Sequence, residues 1–175
     1  KQTFKLSYSK DLSQYVSINA EYQNQRDEVK NTESGALSNA SETDEMRYLA
    51  WVDINSNTLS LSSGAQLTEI DFEQSGPVGF GDPNQTQVIS SEAFFADSAY
   101  RVNDDFVLSA STRLSQNSAF GHSKDFTFGL SYQVSPVLRV FAQRGRASKN
   151  PTFTERFGLF AGTFQGNPEL EPEVA

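Results

Sequence analysis

The chain contains no cysteine and only one histidine, one methionine and one tryptophan among its 175 residues. The lack of cysteine removes disulfide frameworks and thiolate metal sites, and leaves the redox compartment open. No apolar run approaches the length a membrane helix needs, and the mean hydropathy is −0.51, so a helical membrane protein is excluded. That exclusion does not reach barrels, whose alternating strands average out in a hydropathy window. Basic residues are outnumbered, 14 Lys and Arg against 22 Asp and Glu, giving a net charge of −8. No basic patch exists, which argues against nucleic acid as a partner. Neither a glycine-rich phosphate loop nor a metal-binding motif is present. Helix formers are not concentrated in any amphipathic stretch, whereas Ser, Asn, Gln, Thr and Phe are abundant, which favours an all-β chain. The length would suit one soluble domain. The start at Lys1, with neither an initiator Met nor a signal peptide, points instead to a piece of something larger.

What the chain does have is alternation. Phe126, Phe128, Leu130, Tyr132 and Val134 fall on one side of a strand, and Thr127, Gly129, Ser131 and Gln133 on the other. Phe4, Leu6 and Tyr8 begin an equivalent strand that turns near Lys10-Asp11 and returns through Val16, Ile18, Ala20 and Tyr22. A polar loop over 23–45 leads to Tyr48, Ala50, Val52 and Ile54, and a short turn at Asn55-Ser56-Asn57 leads to Leu59, Leu61, Ala65 and Leu67. After a Gly/Pro-rich loop over 74–87, a strand runs to Val102, turns at Asn103-Asp104-Asp105 and returns through Phe106 to Leu114. A loop over 116–125 precedes the Phe126 strand, and Ser135-Pro136 turns it into Val137 to Gln143. The reading is about eight strands, with every second connection long. Tight turns at one end and long loops at the other are how outer-membrane barrels are organised.

Three places break the pattern. Leu49 and Trp51 are apolar on the wet side of their strand. Beyond Leu67 the parity slips to Ile70 and Phe72, as a bulge or an extension above a membrane would cause. Between Ala93 and Arg101 neither face is clearly the apolar one.

The expected fold is an all-β, antiparallel up-and-down meander that forms a slice of a transmembrane β-barrel. Residues 1–175 are read as one partial barrel domain. A complete small barrel would end on a strand pairing with the first, but 166–175 carries two prolines and a Gly-Asn pair that oppose regular pairing.

The last segment reads Gly145-Arg146-Ala147-Ser148-Lys149-Asn150-Pro151-Thr152-Phe153-Thr154-Glu155-Arg156-Phe157-Gly158 and closes on Gly166-Asn167-Pro168-Glu169-Leu170-Glu171-Pro172-Glu173. It resembles the late-barrel region of TonB-dependent outer-membrane receptors. There a basic residue, Ala-Pro and an aliphatic or aromatic residue are followed by a Glu and then by a Gly-Asn-Pro-x-Leu-x-Pro-Glu box that opens the next strand. Lys149, Pro151, Phe153, Glu155 and the box residues Gly166, Asn167, Pro168, Leu170, Pro172 and Glu173 match. Ser148 stands where an aromatic is usual and Asn150 where Ala is usual. Leu108 to Ser115 sits where the family often has a strand ending in Arg.

The resemblance implies a barrel of about twenty-two strands around an N-terminal plug. It implies a Gram-negative outer-membrane transporter that imports a scarce ligand, such as a siderophore-iron complex or cobalamin. Its partners would be outer-membrane lipid, the TonB complex through a plug not visible here, and the small transported ligand; no cofactor and no catalysed reaction are implied. The box reads as structural: its prolines fix backbone angles and Gly-Asn permits a tight turn. No ligand-binding residue is assigned.

Other candidates favour plain readings. His122, the single histidine, is read as a solvated loop residue and not half of a nucleophile–base pair. The absence of His from 152–165 counts against haem, which family members usually meet with a His there. Asp27, Glu28, Glu33, Glu42, Asp44 and Glu45 lack regular ligand spacing and read as a solvated loop, not a cation site. Such acidic loops would repel an anionic ferric-siderophore complex. Arg139, Arg144 and Arg146, with Lys149, are candidates for a basic track at one barrel end, with pairing to acidic residues as the simpler role. Trp51 and the many Tyr and Phe rings are read as interfacial girdles. The rivals are a soluble antiparallel sandwich acting as a binding module, and a small closed barrel.

Overall fold

The computed structural model describes residues 1–33, 36–76, 84–157 and 166–175. Among them, eight strands form one antiparallel sheet in the order of the sequence: β1 (Gln2–Asp11), β2 (Val16–Glu33), β3 (Ala36–Asn55), β4 (Leu59–Ser75), β5 (Gln85–Arg101), β6 (Phe106–Asn117), β7 (Gly121–Ser135) and β8 (Leu138–Arg146). Each is paired to the next, and β1 and β8 are the two edges, so these strands do not close on themselves as a small barrel would. Beyond β8 come β9 (Ser148–Lys149), the short helix α1 (Phe153–Phe157) and β10 (Glu173–Val174).

The register fixes two faces. Tyr8, Ala20, Ala50, Ala65 and Phe94 lie opposite one another across β1 to β5, and Phe94, Leu114 and then Ala110–Phe128 continue that face through β7. This apolar face is the exposed one: Phe94 is 66% and Phe128 60% accessible. The polar residues between them, Thr127, Gly129 and Ser131, are half-buried. Water-soluble sheets do the reverse. The buried apolar residues are only Phe72, Ile89 and Ala93 among the described residues, so no second layer seals the apolar face as a sandwich would require.

Aromatic rings border that face at both heights. Phe4, Tyr22 and Tyr48 form a chain with centroids 6.2 and 5.0 Å apart on the side away from the tight turns. Phe106 and Tyr132 meet edge-on at 6.3 Å near the turns. Trp51 is not part of either band: it lies on the polar face, where its indole N–H donates to Asp53 Oδ2 at 2.9 Å. Opposite it stands Gly64, where any Cβ would overlap Ala50 O and crowd Trp51. The indole fills the space that the glycine leaves, which is why an apolar residue sits on the polar side. Between Ala93 and Arg101 the sequence leaves the facing open; pairing with β4 and β6 puts Phe94, Ala96, Ser98 and Tyr100 on the apolar face.

Two expected loops are strands. The segment over 23–45 continues the ladder, making β2 18 and β3 20 residues long, against the roughly nine to eleven that cross a membrane. Its composition misleads because a strand standing in water needs no apolar face. Likewise β6 and β7 run into 116–125 and leave a connection of Ser118 to Phe120. The Gly/Pro-rich connection falls largely on 77–83, outside the described residues. The parity slip at Ile70 and Phe72 is an extension and not a bulge, since β4 pairs with β3 and β5 in unbroken register.

Candidate functional site

The family-like segment folds back over the polar face. Thr152 and Glu155 cap α1 reciprocally: Glu155 N–H donates to Thr152 Oγ1 at 3.2 Å, while Glu155 Oε2 accepts from Thr152 N–H at 2.7 Å and from its hydroxyl at 2.9 Å. Those bonds, the backbone one foremost, lower the Glu155 pKa below its ordinary 4.5. Phe153 stacks on Phe72 at 4.2 Å with planes 9° apart, and Phe157 lies 6.3 Å from the same ring. Phe72 turns to the polar face, where the rings of this helix stack on it, and Ile70 lies on the same face opposite Ile89. The slip is thus the signal for the docking, and reading it as a strand extension alone misses the helix.

The box is fastened to the end of α1. Asn167 N–H donates to Glu155 O at 2.9 Å. The Arg156 guanidinium donates to Pro168 O at 3.2 and 3.4 Å and lies 5.0 Å over the rings of both Phe120 and Phe157. Gly166 runs against the backbone of Arg156 and Phe157, where a Cβ would overlap Arg156 C and O. Asn167 then makes a tight turn, accepting from Glu169 N–H at its side chain (3.0 Å) and from Leu170 N–H at its carbonyl (3.2 Å). The chain emerges as β10, antiparallel to β9, with Glu173 opposite Lys149. Residues 158–165, between the two halves of the motif, lie outside the described residues.

Under α1 and the box is a cleft of about 730 Å³, bounded by β6, β7 and residues 168–172. Arg113, Arg146 and Arg156 border it together with Asp125, Glu169 and Glu171, and His122 stands beside them, so its rim carries both signs of charge in balance. Arg113 and Asp125 are opposite one another on β6 and β7, yet Arg113 donates to Gln66 Oε1 at 3.3 Å and Asp125 Oδ1 has no partner. The sequence marks Arg113 only through the Leu108 to Ser115 stretch, and nothing in it marks Asp125 or Phe120, because only pairing brings them beside the motif.

His122 is in β7 opposite Gln116, exposed, and makes no hydrogen bond to a hydroxyl or carboxylate among the described residues. The basic residues form no single track: Arg139 is at the turn end, donating to Gln133 Oε1 at 2.8 Å, while Arg146 is at the far end opposite Phe126. Arg144, opposite Phe128, is on the apolar face. The acidic residues are spread along the β2–β3 ladder, where Asp27 lies opposite Thr43 and four others are matched by donors: Glu42 with Arg26 at 2.7 Å, Glu28 with Lys30 at 2.5 Å, Glu45 with Arg47 at 2.6 Å and Asp44 with Asn24 at 2.6 Å. Lys30 thereby lowers the pKa of Glu28, and Glu42 raises that of Arg26. The side chain of Glu33 lies outside the described residues. No carboxylate group among the described residues is arranged to hold a metal ion.

The chain is 30% identical over 81 residues to the vitamin B12 transporter BtuB of Photobacterium profundum, covering 46% of this chain and 12% of that protein. Its fold superposes on the siderophore receptor PirA from Pseudomonas aeruginosa with a TM-score of 0.72 at 16% identity, over 98% of this chain and 34% of that one. The copper transporter OprC gives a TM-score of 0.70 at 13% identity, again over 98% and 34%. The chain therefore spans about a third of the length of these solved structures. A family model for the TonB dependent receptor-like β-barrel matches residues 1–175, and the chain belongs to the TonB-dependent receptor family as part of its barrel.

Proposed function

We propose that residues 1–175 form one stretch of the wall of a Gram-negative outer-membrane transporter, whose plug and remaining strands lie elsewhere in the protein. The apolar face meets lipid and the polar face lines a plugged lumen. The cargo is a scarce ligand, such as a siderophore-iron complex or cobalamin, and import draws on the TonB complex through the plug. The chain catalyses no reaction. The observation that carries this reading is the inverted sheet: Phe128, Leu130 and Tyr132 are exposed while the hydroxyls and amides between them are half-buried. Hydrocarbon is the surrounding that makes such a surface stable.

Pro151, Phe153, Glu155 and the box from Gly166 to Glu173 shape the loop and do not contact cargo. The capping of α1 and the seat of Gly166 on Arg156 support that role. The cleft beside them is where a ligand entering past the long hairpins would be held. Vitamin B12 is named for one relative, siderophore and copper for others, so the cargo is a matter for experiment. Deleting the gene and measuring uptake of labelled cobalamin and of ferric siderophores gives that test. Loss of one uptake, restored by the intact gene, is expected; unchanged uptake of every scarce ligand, with the protein absent from the outer-membrane fraction, would refute the reading.

A further inference from the structure

Arg113 on β6 and Asp125 on β7 are directly opposite on the polar face and border the cleft, yet no ion pair joins them. Opposite side chains of unlike charge normally meet, since their Cβ atoms are about 5 Å apart. Arg113 instead reaches across β5 and donates to Gln66 Oε1 on β4, a long bond at 3.3 Å. Asp125 Oδ1 is shielded from solvent and has no hydrogen-bond partner among the described residues. Neither strand is an edge, since β6 lies between β5 and β7, and β7 between β6 and β8. The split therefore does not come from a sheet edge. A buried carboxylate oxygen without a donor is costly, and a guanidinium has five donors to place.

The surroundings decide what group fits between them. Arg156 is committed to Pro168 O and two rings, and Arg146 is on the edge strand β8. Arg113 is thus the guanidinium placed to act with Asp125. Around the two charges the lining is uncharged and hydrogen-bonding: Ser91, Ser115, Asn117, Ser123 and Asn150. An oxyanion brought to Arg113 lies beside the Asp125 carboxylate and is repelled; an ammonium brought to Asp125 meets Arg113. The long hairpins oppose anions as well, because Asp44 is opposite Asp71 and Glu42 is opposite Glu73. A primary carboxamide has neither fault. Its NH2 donates to a carboxylate, its carbonyl accepts from a guanidinium, and it adds no charge.

We propose that the cleft recognises its cargo through an uncharged carboxamide held between Asp125 and Arg113. The cleft thereby selects neutral, amide-bearing ligands over polyanionic ferric complexes. The proposal rests on the transporter reading above and narrows the class of cargo that the cleft takes.

The test uses the full-length receptor purified in detergent and two probes of one skeleton. One is cobalamin, which carries side-chain carboxamides; the other is the same molecule with those amides hydrolysed to carboxylates. A ferric tris-catecholate is the anionic comparison, and titration calorimetry gives the dissociation constants. The intact receptor is expected to bind the amide form roughly tenfold or more tightly than either anionic probe. Arg113→Gln should weaken the amide form by about tenfold. Asp125→Asn should erase most of the preference for amide over acid, because the repelling carboxylate is gone. A pair with only a structural role would lower stability and leave that ratio unchanged. Heat-modifiable migration of each variant confirms a folded barrel. An unchanged ratio in folded D125N, or an intact receptor that binds an anionic probe as tightly as cobalamin, would overturn the proposal and leave the transporter reading standing. A receptor present in the outer membrane that does not bind cobalamin would overturn it too. Absence of the receptor from the outer membrane, with uptake of every scarce ligand unchanged by gene deletion, would instead refute the transporter reading.

Discussion

The ring of Phe153 lies flat against that of Phe72, 4.2 Å away and 9° from parallel. This contact joins the family-like segment to a strand far earlier in the chain. Phe72 is 6% exposed, one of the few buried apolar side chains in a sheet whose greasy residues otherwise face outward. The polar face thus has a local hydrophobic core of its own, and α1 is its lid.

Replacing Phe72 with Ala should therefore undock α1 without unfolding the sheet. Loss of a buried Phe costs about 3–5 kcal/mol, and a stacked pair adds about 0.5–1.5 kcal/mol. Amides over 152–157 should lose most of their hydrogen-exchange protection in the full-length receptor. Amides of β7 should keep theirs.

Two glycines should respond oppositely in mechanism. A Cβ at Gly166 would strike the backbone of Arg156 and Phe157, so Gly166→Ala must push the box off α1, at about 1–3 kcal/mol or more. Gly121 has φ of 72° with open space around it, so Gly121→Ala carries only the backbone penalty of about 1 kcal/mol. Limited proteolysis near 166–170 should rise for the first variant and stay unchanged for the second.

The cap of α1 should depend on pH. The Glu155 carboxylate accepts the Thr152 N–H and hydroxyl, so its pKa in the docked helix lies below the ordinary 4.5. A lowered folded pKa means that the cap contributes fully above about pH 4.5 and is lost as pH falls through the lowered value. Exchange protection at Glu155 should fall over that acid range. Glu155→Gln should abolish the dependence.

What can be read from the sequence follows where lipid or a second layer imposes a pattern. Phe126 to Val134 must alternate, and its strand, its facing and its neighbours are all legible. Above the apolar belt no such demand exists, so the ladder through Arg26–Asp44 and its neighbours looks like loop although it pairs residue by residue. Trp51 suits a girdle by its ring alone; the void above Gly64, which decides its side, exists only once β3 and β4 are paired. Glu155 and the box are visible as a pattern, but the partners of α1, Phe72 on β4 and Phe120 in the β6–β7 connection, lie far off in the chain and leave no mark within the motif itself.

The apolar face can also be tested by charge. Leu130→Arg places a cation near the middle of the belt and should cost about 2–4 kcal/mol of barrel stability, whereas Ser131→Arg, on the polar side, should cost far less. Urea unfolding of the full-length receptor in bilayers measures both.

The most direct measurement exploits the absence of cysteine from 1–175. Single cysteines placed from 126 to 134 in the full-length receptor, spin-labelled and reconstituted in bilayers, report access to oxygen and to a water-soluble nickel complex. Labels at 126, 128, 130, 132 and 134 should meet oxygen, and those at 127, 129, 131 and 133 should not. A stretch with no two-residue period, or one in which the Phe128 and Leu130 positions are shielded from both probes, would contradict a lipid-facing row.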